Sequence, residues 1–364
     1  MKAVITFLIS ISILFSSMSA DAKSADPVKD YIVGFTTLVD KSAVENSGGT
    51  IKHKFKHIPA AVVTLPDPSL LLNNPNVLFV EEDGKVKITG QSIPWGIEQI
   101  HAQEVQHKGV TGEGIKIGVI DTGIDYLHED LKVISGVSTV PYTSDYMDDN
   151  GHGTHVAGVI GALDNDLGIV GTSPGAEIYA IKSLDQNGNG SISNVMAGID
   201  WAVDNQMDIL NMSFGTSQDS KALRKMLDEA YKKGILLIAA AGNNGFEEKG
   251  SMEYPALYKT VIAVGATDQS NRRAYFSSVG KRLELMAPGY EIYSTVPNGY
   301  AVMNGTSMAT PYVSGAAALL WSHAKTLENK DIRELLSNTS FDLGDKFEYG
   351  YGLIDVNCAL SSLN

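Results

Sequence analysis

Five short apolar runs constrain the fold of this chain more than any other feature. They cover residues 115–120, 178–181, 209–212, 235–241 and 261–264. Each is close to continuously apolar rather than alternating, which is the pattern of a strand covered on both faces. Segments with helical patterning lie between them at 152–163, 192–205 and 220–232. A last long one, 307–323, carries the small residues SGAAA that permit close packing. Strands alternating with helices imply an α/β class, a doubly wound and mostly parallel sheet. Such sheets place their functional groups at the carboxyl ends of the strands.

The part before this region reads differently. Residues 1–22 have the build of a secretory signal: Lys2, an apolar run over 3–15, then Ala20-Asp21-Ala22 as a small-x-small cleavage site. The run is shorter than the roughly 20 residues needed to cross a bilayer. No later segment is long and apolar enough either, so export is expected. Residues 27–83 read as a small α+β unit with strands at 31–35, 60–65 and 77–80. The tail 84–89 reads as a linker into a second unit, 90–364.

There is one cysteine, Cys358, so no disulfide can form within the chain. An exported protein without disulfides needs a large core or another staple. Cys358 lies in an apolar stretch and is expected to be a small buried filler. The net charge is -14. The first 89 residues balance, so all of it falls in 90–364, which disfavours nucleic-acid binding and suits solubility outside the cell.

Four stretches could carry chemistry. VIDTGID ends the first apolar run in Asp121, an acid that is costly at a buried strand end unless paired. It could also be a turn-forming residue before Gly123. HGTHVAG places His152 at the start of a helix and His155 almost a turn further in. His152 is the better placed for proton transfer, and His155 reads as a satisfied partner. A zinc pair is a third option, although Gly153 stands where a metalloprotease helix would have Glu. Asn243 follows the fourth strand run, either as a turn residue or as an amide donor to an oxyanion. Ser307 opens the last helix, either as a cap or as a nucleophile favoured by the helix terminus. Taken together, an acid, an imidazole, an amide and a serine in this order supply the parts of nucleophilic acyl transfer.

At these residues the chain resembles the subtilisins, a family of secreted bacterial serine endopeptidases. VIDTGI, NGHGTHVAG and NGTSMATP match the family's three motifs in order, and the similarity runs from about Gly90 to the end. The resemblance implies a subtilisin-like fold and broad peptide-bond hydrolysis through an acyl-enzyme. It makes Asp121 the orienting acid, His152 the general acid–base, Ser307 the nucleophile and Asn243 the oxyanion donor. It implies that residues 23–89 are a ferredoxin-like propeptide, a folding chaperone and intramolecular inhibitor removed autocatalytically. Residues 80–83 match its closing strand, with the mature start near Gly90. The mature protein is expected to be a secreted monomer acting on proteins and peptides. Rivals are an esterase or transacylase, an inactive binding protein and a metal-dependent hydrolase.

The substrate groove carries across in the same way. Ser213, Phe214 and Gly215 match the strand edge that pairs with substrate backbone. Ala240, Gly242 and Asn244 belong to the opposite wall of the primary specificity pocket. Glu253 stands at its floor, where the family usually has glycine, so Lys or Arg at that substrate position is expected to be tolerated. Tyr312 replaces a usual histidine, and only a packing change is expected from it.

Residues 163–169, LDNDLGI, form an acidic loop with a glycine, suited to a hard cation with oxygen ligands or to a solvated turn. In the family this loop wraps Ca²⁺. The implied ligands are the side chains of Gln91, Asp130 and Asn165 and the carbonyls of Leu163, Leu167 and Ile169. A weaker cation site is implied at the carbonyls of Ala256, Tyr258 and Val261.

Overall fold

The computed structural model describes residues 29–84, 90–245 and 251–363. The signal reading of 1–22 and the end of the linker at Thr89 lie outside them. The chain divides into two compact units, residues 1–88 and 89–364.

The first unit runs β1 (Lys29–Phe35), α1 (Lys41–Asn46), β2 (Thr50–Lys54), β3 (Ala60–Leu65), α2 (Ser69–Leu72) and β4 (Val77–Glu82). Its sheet order is β2-β3-β1-β4 with antiparallel pairing, a ferredoxin-like arrangement. Val33, Phe35, Val63 and Leu65 have no exposed surface and form its core. β2, sequence TIKHK, has no apolar run, because an edge strand with one solvated face does not need one.

The second unit opens with two short helices, α3 (Trp95–Gln99) and α4 (Ala102–Gln106). Its strands are β5 (Lys116–Asp121), β6 (Val133–Ser138), β7 (Glu177–Lys182), β8 (Ile209–Met212), β9 (Leu236–Ala240), β10 (Val261–Thr267) and β11 (Leu285–Pro288). They form one sheet in the order β11-β10-β9-β8-β5-β7-β6, and every pairing is parallel. The five apolar runs are all interior strands. The two edges were not among those runs: β6 is partly exposed, whereas β11 is apolar and buried but only four residues long, ending in Pro288.

The connections supply α5 (His152–Gly161), α6 (Ile192–Asp204) and α7 (Lys221–Lys232). The hairpin β12 (Ile292–Val296) and β13 (Gly299–Met303) then leads into α8 (Thr306–His323), and α9 (Asn329–Asn338), α10 (Lys346–Tyr349) and α11 (Val356–Ser361) close the chain. Ser191 and Ser220 cap α6 and α7, each accepting a backbone N–H of the first turn. Successive strand residues feed opposite cores. Val119 and Ile238 join α5 and α8 on one face, whereas Ile120 and Leu237 join α6 and α7 on the other. Each such side chain fully removed from water contributes about 1.5–3 kcal/mol.

Two details bear on the expectations. Cys358 is exposed rather than buried. On α11 the inward face is Val356, Ala359 and Leu360, and helical geometry turns Cys358 away from it. Tyr312 is buried in the core, its hydroxyl close against Gly96, where an added Cβ would come within 2.3 Å of it.

Candidate active site

Three neighbouring strands end side by side. Asp121 is the last residue of β5, Ser213 follows β8, and Asn243 lies three residues beyond the end of β9. Asp121 has no exposed surface, and its Oδ1 lies 2.7 Å from Nδ1 of His152, the first residue of α5. The same oxygen accepts the Thr122 N–H at 2.7 Å. A carboxylate acceptor places the ring proton on Nδ1 and leaves Nε2 with a lone pair. Burial opposes charge on this imidazole. The charge and hydrogen bond of Asp121, with the charge of Asp148, outweigh it, so His152 titrates above its ordinary value.

The start of α5 is fixed by a carboxylate that the sequence reading passed over. Asp148 Oδ1 accepts the N–H groups of Asn150 and Gly151 and the hydroxyl of Thr122. Its Oδ2 accepts the N–H and the hydroxyl of Thr154. The Thr122 hydroxyl in turn accepts the Gly153 N–H at 2.9 Å. Gly153 is required by close approach: an added Cβ would meet the Gly123 carbonyl oxygen at 2.1 Å and Asp121 Cβ at 3.1 Å. Any side chain there would push the helix start away from the acid.

His155 takes no part in this cluster. It is fully buried and its Nε2 donates to the Ile292 carbonyl at 3.0 Å. Burial above all holds its pKa down, to about 4, so the ring is neutral near pH 7. The two histidines are a proton-transfer candidate and a packed neighbour, not a metal pair.

Ser307 lies in the first turn of α8. It is the one residue between Gly305 and Trp321 that keeps some exposure in an otherwise buried helix. Its hydroxyl donates to the Ser213 carbonyl at 2.9 Å rather than to His152. The Ser213 hydroxyl donates to the Ser307 carbonyl at 2.9 Å, accepts from Asn211 Nδ2, and Asn211 Oδ1 accepts from Ser314. This chain of polar contacts locks the helix start to the end of β8. Asn243 Oδ1 accepts the Thr306 N–H at 2.9 Å and its hydroxyl at 3.1 Å, which leaves the amide Nδ2 free to donate elsewhere.

The other residues expected to line a substrate groove are brought to the same strand ends. Phe214 packs partly buried against the core, and Gly215 follows it. Ala240 closes β9, Gly242 donates to the Thr306 hydroxyl at 3.2 Å, and Asn244 Nδ2 donates to Glu253 Oε1 at 2.9 Å.

The loop at 163–169 fits a hard cation. Gln91 Nε2 reaches the carbonyl oxygens of Leu163, Leu167 and Ile169 at 2.5, 3.2 and 2.9 Å. Three carbonyls converging on one point need an electropositive partner; here the neutral Gln91 amide N–H₂ donates to them, and its Oε1 is the atom that would turn in to face a cation. Asp130 Oδ1, close by in the fold, is buried without a hydrogen-bond partner among the described residues. Its Oδ2 accepts the Ile169 N–H at 3.0 Å, and burial pushes its carboxyl above the usual range. Asn165 Nδ2 donates to the Glu129 carbonyl at 3.3 Å. An oxygen-rich site with an orphaned buried carboxylate oxygen is the chemistry that Ca²⁺ takes.

The second expected cation site does not fit. The Tyr258 carbonyl accepts both the Val261 N–H and Arg282, the latter at 3.3 Å. The Val261 carbonyl accepts Arg333 at 3.3 Å, and Arg333 also pairs with Glu284 at 2.6 Å. Two guanidinium groups hold these oxygens, and their charge repels a metal ion. Ala256 is buried beside them.

A further residue escaped the sequence reading. Lys182 ends β7, has no exposed surface, and is the register partner of Asp121. Its Nζ donates to the Thr122 carbonyl at 2.5 Å and to Asp149 Oδ1 at 2.6 Å. It ties the strand carrying Asp121 to the loop before His152. The one available signal was a cation closing an apolar run, IYAIK.

Comparison with known proteins agrees with this geometry. A family model described as the subtilase family matches residues 112–352. Subtilisin E of Bacillus subtilis (strain 168) is 46% identical over 358 residues, covering 95% of this chain and 94% of that one. Subtilisin DY of Bacillus licheniformis is 50% identical over 271 residues, covering 74% and 99%. An alkaline protease of Alkalihalobacillus alcalophilus is 40% identical over 378 residues, covering 98% of each.

Proposed function

The chain belongs to the subtilase family and is a serine endopeptidase of the subtilisin type, and from that premise we propose that Asp121, His152, Ser307 and Asn243 perform its reaction. Ser307 Oγ attacks the carbonyl carbon of the scissile bond while its proton passes to His152 Nε2. Asp121 stabilises the imidazolium through the Nδ1 contact. The oxyanion accepts from Asn243 Nδ2 and the Ser307 N–H. His152 then gives its proton to the leaving amine, and water releases the acyl group by the same steps in reverse. The Ser307 hydroxyl must first turn from the Ser213 carbonyl toward His152.

The observation that carries this reading is the 2.7 Å contact between Asp121 Oδ1 and His152 Nδ1, at a strand end that adjoins those of Ser213 and Asn243. We assign residues 1–22 to a secretory signal and 23–89 to an autocatalytically removed propeptide that assists folding and inhibits. Residues 90–364 are then the secreted, monomeric enzyme. Ca²⁺ would be held by the side chains of Gln91, Asp130 and Asn165 with the carbonyls of Leu163, Leu167 and Ile169. Bound there, it would tie the segment before α3 to the loop after α5.

The test is labelling with a fluorophosphonate probe together with casein hydrolysis. Both are expected in the wild type and absent in Ser307→Ala, which accumulates as the unprocessed precursor. Labelling without casein hydrolysis would favour the esterase reading. Labelling that persists in Ser307→Ala would point to another nucleophile.

A further inference from the structure

We propose that Glu253 gives this enzyme a cationic primary specificity, so that it cleaves after Lys and Arg in preference to large apolar residues. The inference rests on the endopeptidase reading above and concerns the side chain on the acyl side of the cut bond.

The backbone around Glu253 is stitched to both walls of the groove. The Glu253 N–H donates to the Ala241 carbonyl at 3.0 Å, and Tyr254 exchanges two 2.8 Å hydrogen bonds with Thr216. The first wall follows β9 and the second follows β8. Both touch the turn that carries Ser307: Gly242 donates to the Thr306 hydroxyl, and the Ser213 carbonyl accepts the Ser307 hydroxyl.

From this anchored position the side chain enters the space between the walls. A Cβ added at Gly215 would meet Glu253 Oε2 at 2.1 Å and Cδ at 3.1 Å. One added at Gly242 would meet Cγ at 3.1 Å and Oε2 at 3.2 Å. The carboxylate therefore lies in the slot that the two glycines leave open, not out on the surface. Asn244 holds Oε1 at 2.9 Å and fixes its direction. Among the described residues no Lys or Arg pairs with this carboxylate.

A half-buried carboxylate with one neutral amide partner lacks a counter-charge. A substrate ammonium or guanidinium entering the slot supplies it. An apolar side chain would have to desolvate the carboxylate without compensation, and an acidic one would be repelled. The flexible stems of Lys and Arg can line the glycine walls while the charged head reaches Oε2.

The experiment uses the secreted enzyme, its active sites counted by fluorophosphonate titration, on peptides identical except for Lys, Arg, Phe or Glu at the residue before the cut. The Lys and Arg peptides are expected to exceed Phe in kcat/KM, with Glu slowest. Glu253→Gln keeps size and the Asn244 contact, and is expected to lower the Lys-to-Phe ratio by about 10–100-fold. Glu253→Gly should move the ratio the same way. An unchanged ratio in both variants, or a wild type preferring Phe tenfold over Lys, overturns the proposal while leaving the endopeptidase reading intact. No cleavage of any peptide and no labelling overturns that reading itself.

Discussion

The ammonium of Lys182, with no exposed surface, lies 2.6 Å from Oδ1 of Asp149, whose side chain is 35% exposed. Burial opposes charge on Asp149, but the hydrogen bonds from Lys182 and Tyr142 hold its carboxyl below the usual range. The pair is asymmetric, and so are its variants. Asp149→Ala strands a buried ammonium and should cost about 3–5 kcal/mol. Lys182→Met leaves a carboxylate that water can reach and should cost less, about 1–3 kcal/mol. Denaturant unfolding in a Ser307→Ala background, which removes autolysis, measures both. Equal losses would contradict the asymmetry.

In the proposed mechanism His152 sets the acid limb of activity. It must be neutral to accept a proton, so kcat/KM should rise with pH, with its midpoint above the ordinary imidazole value of about 6.5. Asp121→Asn removes the main raising influence and leaves burial, so the residual activity should show a lower midpoint. A midpoint that stays in place would separate the two residues. Stability is linked with the opposite sense: the Asp121–His152⁺ contribution is fully present below the unfolded-state pKa and is lost as pH rises through the raised folded value.

In the proposed mechanism Asn243 acts only as charge develops on the oxyanion, so Asn243→Leu should lower kcat with KM little changed. The loss known for subtilisin itself, about 10²–10³-fold, is the one expected in this relative. Steady-state kinetics on a peptide substrate decide it. A rise in KM with kcat intact would recast the side chain as a simple substrate contact.

His155 should make the fold acid-labile. Its folded pKa is depressed to about 4, so its contribution is present above the unfolded value of 6.5 and is lost as pH falls toward 4. The full effect is on the order of 3 kcal/mol. His155→Gln, which keeps a donor toward the Ile292 carbonyl, should flatten the stability profile between pH 6.5 and 4. An unaltered slope would assign that lability to other groups.

Chelation should lower Tm and speed autolysis, and added Ca²⁺ should restore both. In Asp130→Ala or Gln91→Ala the melting temperature should respond little to either treatment. Removing Arg282 or Arg333 should destabilise, because each donates to a carbonyl that would otherwise lose that partner. Differential scanning calorimetry with EDTA and Ca²⁺ arms checks all three statements.

The interior of the sheet was legible because interior strands must be apolar on both faces, and runs such as ILLIAAA have few alternatives. The strand-terminal positions of Asp121, Asn243 and the helix-terminal position of Ser307 followed from the same runs. The edges were not legible, since β6 is partly exposed along its length, β11 has only four residues, and the β12–β13 hairpin alternates irregularly between exposed and buried positions. Nor were the supports of the site. Asp148 reads as one more polar loop residue, and only its five acceptor contacts distinguish it. The donors at the second expected cation site were hidden for the same reason: its carbonyls are in sequence, but Arg282 and Arg333 reach two of them from elsewhere in the chain.

The strand order has a consequence in time. β5 is the first strand of the large unit to leave the ribosome, yet its neighbours are β7 and β8, and α8 follows only after all seven strands of the sheet have been made. No chain that stops short of α8 can bring Asp121, His152 and Ser307 together. Parallel pairing across long connections also closes slowly, because the entropy of each loop is lost before its contacts form. The topology thus delays the onset of proteolysis until synthesis is nearly complete, a safeguard written into the order of the strands.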